Sequence, residues 1–273
     1  MCREILLALA VAATRIPSRA AGPSPDEIIR KSVEAIHSDW NQAARYSYLE
    51  RDVESKRHSP PTARTYKALM IDGSPYNLVT AINDQPLSPS ERADEGRKLQ
   101  KEVERRQHES DRERKKRIAK YDRERARDPE MLSAMVDAFQ FQLESEAEVD
   151  GHPCWVLAAT PKSGYQAATR EGRILKGMKG RLWVDKQSYQ WVKIHAEAVR
   201  SISLYGFLAK IGPGTEFDLE QAPVTDNLWL AKRFSVRVKA SALGFVNEDS
   251  SESETYRDYQ PMPQASAVLQ SIK

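Results

Sequence analysis

The fold is decided by the stretch 181–199, which reads Arg-Leu-Trp-Val (181–184), Asp-Lys-Gln-Ser (185–188) and Tyr-Gln-Trp-Val-Lys-Ile-His-Ala-Glu-Ala-Val (189–199). A polar four-residue turn between two runs rich in β-branched and aromatic residues predicts a β-hairpin. If Val184 pairs with Tyr189, alternation places two sets of side chains on opposite faces. One face then carries Leu182, Val184, Tyr189 and Trp191, and the other carries Trp183, Val192, Ile194, Ala196 and Ala198. Both faces are apolar near the turn, whereas an ordinary half-buried sheet has one polar side, so the second face requires a cover or a ligand.

The strands around this hairpin predict a curved antiparallel sheet. Residues 233–240 alternate apolar and polar side chains, as expected for a strand with one buried face. Further strands are predicted at Tyr46–Lys56, Thr65–Ile71, Tyr76–Ile82, Gln140–Val149 and Cys154–Thr160, separated by turn residues such as Asp72-Gly73 and Asp150-Gly151.

Two amphipathic helices are available to cover the sheet. Ile29, Val33, Ile36 and Trp40 recur at helical spacing, which predicts a helix over 26–42. A second helix is expected to start at Asp128-Pro129 and to bury a stripe that includes Met131, Leu132, Met135, Val136 and Phe139. The predicted fold class is therefore α+β: a half-barrel of antiparallel strands covered on its concave side by helices.

A charged segment interrupts this pattern between Glu91 and Arg127. It contains 15 Lys and Arg against 10 Asp and Glu, a local charge of +5 in a chain whose formal net charge is +3. Acids four residues before bases favour helix, but no large apolar residue lies between Val103 and Ile118. The segment predicts a solvated helical arm, about 60 Å long if continuous, and not a coiled coil.

The order of these features divides the chain into five parts. They are a signal peptide (1–20), a helix with the first strands (21–87), the charged helical insertion (88–127), the remaining β domain (128–260) and a tail (261–273). The short apolar run Ile5–Ala13 followed by Ser18-Arg-Ala20 predicts export with a cut after Ala20. A periplasmic or otherwise exported location follows, and the single remaining thiol, Cys154, excludes an internal disulfide.

The sequence contains no recognisable catalytic or metal-binding set. It lacks a phosphate-binding glycine loop, an HExxH motif and a G-x-S-x-G elbow. His152 and Cys154 have no second pair of metal ligands, so a strand start is the preferred interpretation. We expect a protein that is not an enzyme and uses no cofactor or metal; a hydrolase is the least favoured alternative because no nucleophile–base pair is recognisable.

The large aromatic residues are the candidates for lining a ligand cavity. These are Trp40, Trp183, Trp191, Phe207, Phe217, Trp229 and Phe234. Ordinary core packing is the competing interpretation for each of them. A single-layer curved sheet covered by short helices leaves concave space, which favours a cavity for some.

Three stretches give the chain a resemblance to the LolA-like outer-membrane lipoprotein-sorting carriers. They are residues 149–156 (Val-Asp-Gly-His-Pro-Cys-Trp-Val), residues 180–185 (Gly-Arg-Leu-Trp-Val-Asp) and residues 191–194 (Trp-Val-Lys-Ile), supported by 223–259. The resemblance implies a half-barrel with a cavity for acyl chains, without cofactor or catalysis. The charged segment is not part of that family's pattern, and no position matches its lid-locking arginine.

Two functions remain open from the sequence. The first is an exported carrier for a lipid, a lipoprotein acyl chain or another apolar ligand. The alternative is an envelope structural or interaction protein whose arm, Glu91 to Arg127, contacts a membrane surface or an envelope protein. No nucleic-acid partner is expected, since the basic excess is confined to one segment.

Overall fold

An open, eleven-stranded antiparallel sheet forms the body of the protein. In a computed structural model, the structure describes residues 22–57, 59–167, 169–203, 209–242, 246–247 and 249–262. The strand order in the large sheet is β4-β3-β2-β1-β15-β12-β11-β8-β7-β6-β5, and a small ribbon has the order β14-β13-β10-β9. The strands are β1 Tyr46–Lys56, β2 Thr62–Ile71, β3 Ser74–Ile82, β4 Gln85–Pro86, β5 Phe139–Val149, β6 His152–Pro161, β7 Met178–Asp185, β8 Trp191–Ala198, β9 Ile202–Ser203, β10 Ala209–Ile211, β11 Glu216–Thr225, β12 Leu228–Val238, β13 Ala240–Ala242, β14 Val246–Asn247 and β15 Ser250–Pro261.

Within the described ranges, four helices accompany the sheet: α1 Pro25–Ala43, α2 Pro89–Gln107, α3 Asp111–Ala138 and α4 Arg170–Leu175. The predicted fold class is confirmed, because eleven of the described strands form one open antiparallel sheet with helices packed against it. The predicted export signal, residues 1–20, and the chain beyond Met262 lie outside the described residues.

Three tight hairpins occur where the sequence predicted turns. Asp72-Gly73, Asn83-Asp84 and Asp150-Gly151 all have positive φ at both residues. This is the backbone of a type I′ turn, whose twist matches that of the paired strands. Local turn chemistry therefore fixes the register of β2 with β3, β3 with β4, and β5 with β6.

The hairpin of β7 and β8 exists, but its predicted register is wrong. Val184 pairs with Trp191, not with Tyr189, and Leu182 pairs with Ile194. The ladder is irregular at Trp183 and Val184, where one extra residue of β8 is accommodated. Because a one-residue shift reverses the faces of all later side chains, Ile194 lies on the face of Leu182 and Trp191.

The two faces of the hairpin pack against different groups of residues. Leu182, Val184 and Trp191 belong to the main core, together with Ile28, Ile29 and Leu132 of the helices. Val192 packs on the opposite face with Cys154, and Trp183 and Trp229 join that smaller cluster. Both faces are apolar, as predicted, but one carries the main core and the other only a small group.

The charged arm is a helical hairpin and not one rod. Helix α2 ends at Gln107, and α3 starts at Asp111 behind an N-cap, Ser110, whose side chain accepts from Glu113 N. The Ser110 and Glu113 pair forms a capping box, as do Ser88 and Glu91 at the start of α2. The predicted helix start at Asp128-Pro129 is wrong, because these residues lie inside the continuous helix α3.

Helix α2 packs on the outer face of the sheet. Leu99 is fully buried against Leu69 and Ile71 of β2. Their neighbour Ala68 points to the other face, since side chains alternate, and Ala68 pairs with Tyr48 of the concave side. The arm thus passes around the β2–β3 turn, and the C-terminal end of α3 returns to the concave side, where Leu132 joins the core.

Two arginines fasten the arm to this turn. The Arg106 side chain is 5% exposed and donates to the carbonyl oxygens of Ile71 (2.6 Å), Ser74 (2.8 Å) and Pro75 (3.1 Å). Arg117 donates to Asp72 O and to Ser74 Oγ. Hydrogen bonds from these two arginines therefore hold the arm to the sheet. The expectation of a solvated arm is corrected, because this side of it is buried.

Candidate functional site

A mostly apolar cavity lies between the concave face of the sheet and the helices. Its volume is about 990 Å3, at the upper end of the range usual for small-molecule pockets. Helix α1 contributes Ile36 and Trp40, and α3 contributes Met131 and Met135. The sheet contributes apolar side chains from strands β7, β8, β11 and β12, among which Phe217 lies opposite Ala196.

Five of the seven predicted cavity residues line this space, and they come from four separate elements. They are Trp40, Trp191, Phe217, Trp229 and Phe234. Trp229 lies at the boundary, because it also packs with Val192 and Cys154 in the smaller cluster. Trp183 lies outside the lining, on the other face, where Lys193 Nζ sits 5.8 Å from its ring centre. Phe207 lies outside the described residues.

Sequence reasoning missed Asp39, the polar residue that joins α1 to the sheet. Asp39 is 5% exposed, and its Oδ2 accepts from Gln190 Nε2 at 2.5 Å and from Trp229 N at 2.9 Å. Burial raises the pKa of this carboxyl above its usual value, and the two hydrogen bonds offset only part of that rise. The available signal was an acid next to Trp40 on the apolar side of an otherwise amphipathic helix.

An arginine of α3 packs on Trp40, which lines the cavity. The Arg125 guanidinium lies 4.0 Å from the centre of the Trp40 ring and donates from Nη2 to Trp40 O at 2.7 Å. It also lies 5.6 Å from the ring of Tyr121. The contact with Trp40 attaches the middle of α3 to the end of α1. The same helix α3 carries Met131 and Met135 of the cavity wall, so the arm and part of that wall belong to one helix.

A row of acids continues the concave face beyond the aromatic part of the cavity. Glu50 pairs with Tyr256, and Asp52 pairs with Glu254, across β1 and β15. Burial, and then the charges of Glu254, Asp52 and Glu252, raises the pKa of Glu50 to about 7. The row therefore bounds the apolar surface on the side of β1.

The tyrosines between these acids and the cavity respond in the same direction. Burial and the neighbouring Glu50 charge raise the pKa of Tyr48 to about 12. Burial also raises the pKa of Tyr256 and Tyr259, both of which line the cavity with Tyr48. All three phenols are neutral at physiological pH, so this wall of the cavity carries no charge.

The histidine and cysteine weighed as metal ligands occupy a strand start, as expected. The buried Cys154 thiol donates to His152 O at 3.2 Å, and burial raises its pKa to about 11. A thiol with a raised pKa is a poor nucleophile and a poor metal ligand. Within the described ranges, no group of three His, Cys, Asp or Glu side chains is placed to hold a metal ion.

No helix within the described part of the chain combines the length and apolar character needed to cross a membrane.

The described residues define a class of protein: an open half-barrel with helices over its concave face and an apolar cavity between them. Solved structures similar to it include three bacterial proteins. A LolA superfamily protein from Nitrosomonas europaea is 10% identical, with 91% of this chain and 98% of that chain covered and a TM-score of 0.37. A putative outer membrane lipoprotein-sorting protein domain from Vibrio parahaemolyticus is 11% identical, with 89% and 99% covered and a TM-score of 0.34. A DUF1329 family protein from Desulfovibrio piger is 12% identical, with 92% and 100% covered and a TM-score of 0.34.

The similarity agrees with the resemblance stated from the sequence, since LolA superfamily and lipoprotein-sorting proteins are among the structures found. No protein-family model matches the chain, and no curated protein matches it. At these identities and TM-scores the matches carry no argument about what this chain binds.

Proposed function

We propose that this protein is an exported, non-enzymatic carrier that holds a lipid, a lipoprotein acyl chain or another apolar ligand between its sheet and its helices. The supporting observation is the cavity of about 990 Å3 lined by aromatic and aliphatic side chains from α1, α3, α4 and the concave face. Water in such a space gains few hydrogen bonds, so an apolar ligand that replaces it is favoured by burial of its surface.

Four of the five parts of the chain have a role in this carrier. Residues 1–20 direct export, residues 21–87 and 128–260 form the carrier domain, and residues 88–127 are an insertion fixed to the outside of it. Trp40, Trp191, Phe217, Trp229 and Phe234 line the space and would contact the ligand directly. The carrier needs no cofactor or metal for this role.

A cavity-filling variant tests the proposal. Ala196 lines the cavity on β8, and Ala196→Phe places a ring in the space that the ligand would occupy. We expect binding of a fluorescent fatty acid probe to weaken by about tenfold or more, because the new ring occupies space that the probe needs and a loss of about 1.4 kcal/mol of binding free energy is tenfold in affinity. Ala93→Phe, at an exposed position on α2, is the matched control and should bind as the parent does.

Two results would reject the carrier. The first is a parent protein that neither takes up the probe nor releases any amphiphile when it is purified gently, extracted with organic solvent and measured by mass spectrometry. The second is an Ala196→Phe protein that is folded by circular dichroism and binds the probe as tightly as the parent, which would place the probe outside the cavity.

A further inference from the structure

One side of helix α3 presents basic side chains to solvent. Between Asp111 and Ala126 the helix has eight basic and four acidic residues, a net charge of +4. Six of the bases are exposed, and five of them lie on one side of the helix; this set, the basic stripe, is Arg112, Lys115, Lys116, Lys120 and Arg123. The sixth, Arg114, lies on the opposite side of the helix. At 100° per residue the bases of the stripe fall within an arc of about 140° and extend about 17 Å along the helix axis.

The stripe lies opposite the attached side of the helix. Arg117, Ile118 and Arg125 are half-buried, and they contact the β2–β3 turn or Trp40. Tyr121, on the same side, is half-buried beneath Arg125. These contacts fix the rotation of α3 about its own axis. The basic stripe therefore points away from the sheet.

The bases of the stripe are less neutralised than those of α2. On α2, Arg97 pairs with Asp94, Lys98 pairs with Glu95, and Arg105 pairs with Glu102. Among the side chains that the structure describes, Arg112, Lys115, Lys116 and Arg123 have no carboxylate within ion-pair distance, and Lys120 reaches Glu124 only at 3.8 Å. The positive field is thus concentrated on the solvent side of α3.

The acids of α3 flank the stripe. Asp111 and Asp122 project on one side of the arc, and Glu113 and Glu124 project on the other, each about 90–110° from its centre. When the basic stripe rests on a flat anionic surface, the flanking acids lie about 5 Å further from that surface than the bases do. A curved or grooved polyanion would contact the acids as well, so the pattern favours a plane.

We infer that the basic stripe docks this protein on an anionic lipid bilayer surface. The contact is electrostatic and peripheral, because the stripe contains no large apolar residue to insert. Helix α3 continues from the stripe to Met131 and Met135 in the cavity wall, so docking brings the cavity lining near the lipid. The inference does not depend on the cavity holding a ligand, and its test requires none.

Sedimentation with lipid vesicles tests the inference. The parent should bind vesicles of phosphatidylglycerol mixed with phosphatidylcholine and should not bind vesicles of phosphatidylcholine alone. Raising the salt concentration should release it, because exposed charges are screened over about 10 Å at 0.1 M salt. The triple variant Lys115→Gln, Lys116→Gln, Lys120→Gln should bind about 100-fold more weakly, since each base near the surface contributes about fivefold.

A second triple variant separates the stripe from the overall charge. Arg97→Gln, Lys98→Gln, Lys101→Gln removes the same three charges from exposed positions on α2 and should weaken binding only a few fold. All six positions are exposed, so both proteins should fold as the parent does. Equal losses in the two triple variants, or a parent that binds both kinds of vesicle equally or neither, would overturn the inference.

Discussion

Replacement of Arg106 by methionine tests how the charged insertion is held to the sheet. The variant keeps a long side chain but removes five hydrogen bonds, one to Glu102 and four to main-chain or side-chain atoms of the β2–β3 turn. Arg105→Met is the matched control. Arg105 is the preceding residue, and its three hydrogen bonds go only to Glu102 and Glu109 on the arm itself.

The structure predicts very different costs for the two changes. Without Arg106, the carbonyl oxygens of Ile71, Ser74 and Pro75 lose a charged donor, and each unsatisfied buried group costs about 1–3 kcal/mol. Water reaches some of them when the arm loosens, so we expect a total loss of about 3–5 kcal/mol, as for other broken buried charge pairs. Arg105 is 53% exposed on its side chain, so its loss should cost less than about 1 kcal/mol.

Two measurements distinguish these outcomes. Urea denaturation should show the loss for Arg106→Met, with a melting temperature about 10 °C lower for a chain of this size. Limited trypsin digestion should cleave Arg106→Met first within 89–126, because detached helices expose their many basic residues. Equal destabilisation by the two variants, or a loss below about 1 kcal/mol for Arg106→Met, would show that Arg106 does not hold the arm to the sheet.

Three further predictions concern groups in and around the cavity. The pKa of Glu50 is raised from 4.5 to about 7, so between these pH values the folded chain holds a proton on Glu50 that the unfolded chain has lost. Proton binding by Glu50 therefore stabilises the folded state fully below about pH 4.5, and this stabilisation is lost as the pH rises through 7. Since solvent screens part of this charge, we expect the free energy of unfolding in urea to be about 1–2 kcal/mol lower at pH 8 than at pH 5. Glu50→Gln should remove this difference, and the control Glu54→Gln, at an exposed position of the same strand, should leave it in place. A pH dependence that survives Glu50→Gln would refute this. Asp39→Ala should lower the unfolding free energy at pH 7 by about 1–3 kcal/mol because two buried donors lose their acceptor, whereas Asp39→Asn keeps an acceptor oxygen and should cost less; equal losses would mean that the hydrogen bonds do not matter. Gly180→Ala should cost about 1–3 kcal/mol, since its Cβ would stand 2.7 Å from a carbonyl oxygen of β8, and an unchanged melting temperature would contradict this close approach.

Local sequence signals predicted the elements of this protein well. Helix α1 was predicted at Asp26–Gln42 and extends over Pro25–Ala43, and β1 was predicted with its observed bounds. The hairpins at Asp72-Gly73 and Asp150-Gly151 follow from residues that tolerate positive φ. These features depend on a few neighbouring residues, so the sequence is sufficient to specify them.

Register and long-range packing could not be predicted in the same way. Val184 pairs with Trp191 because β8 accommodates one extra residue. The free-energy cost of that residue depends on how β7 and β8 pair with their outer neighbours, β6 and β11. The burial of Arg106 could not be recognised either, because its partners are main-chain carbonyls 31 to 35 residues away. Neither feature has a signature within one segment.

The sequence alone determined that this chain forms an antiparallel sheet with apolar side chains on both faces, helices to cover one of them, and a charged helical insertion. Alternation and helical periodicity are local properties, and they fix which side of each element is apolar. Only the tertiary structure decided which aromatic side chains share the cavity, with Trp191 inside it and Trp183 outside. It also decided that the insertion folds back on the β2–β3 turn, because both outcomes depend on how distant strands and helices meet in space.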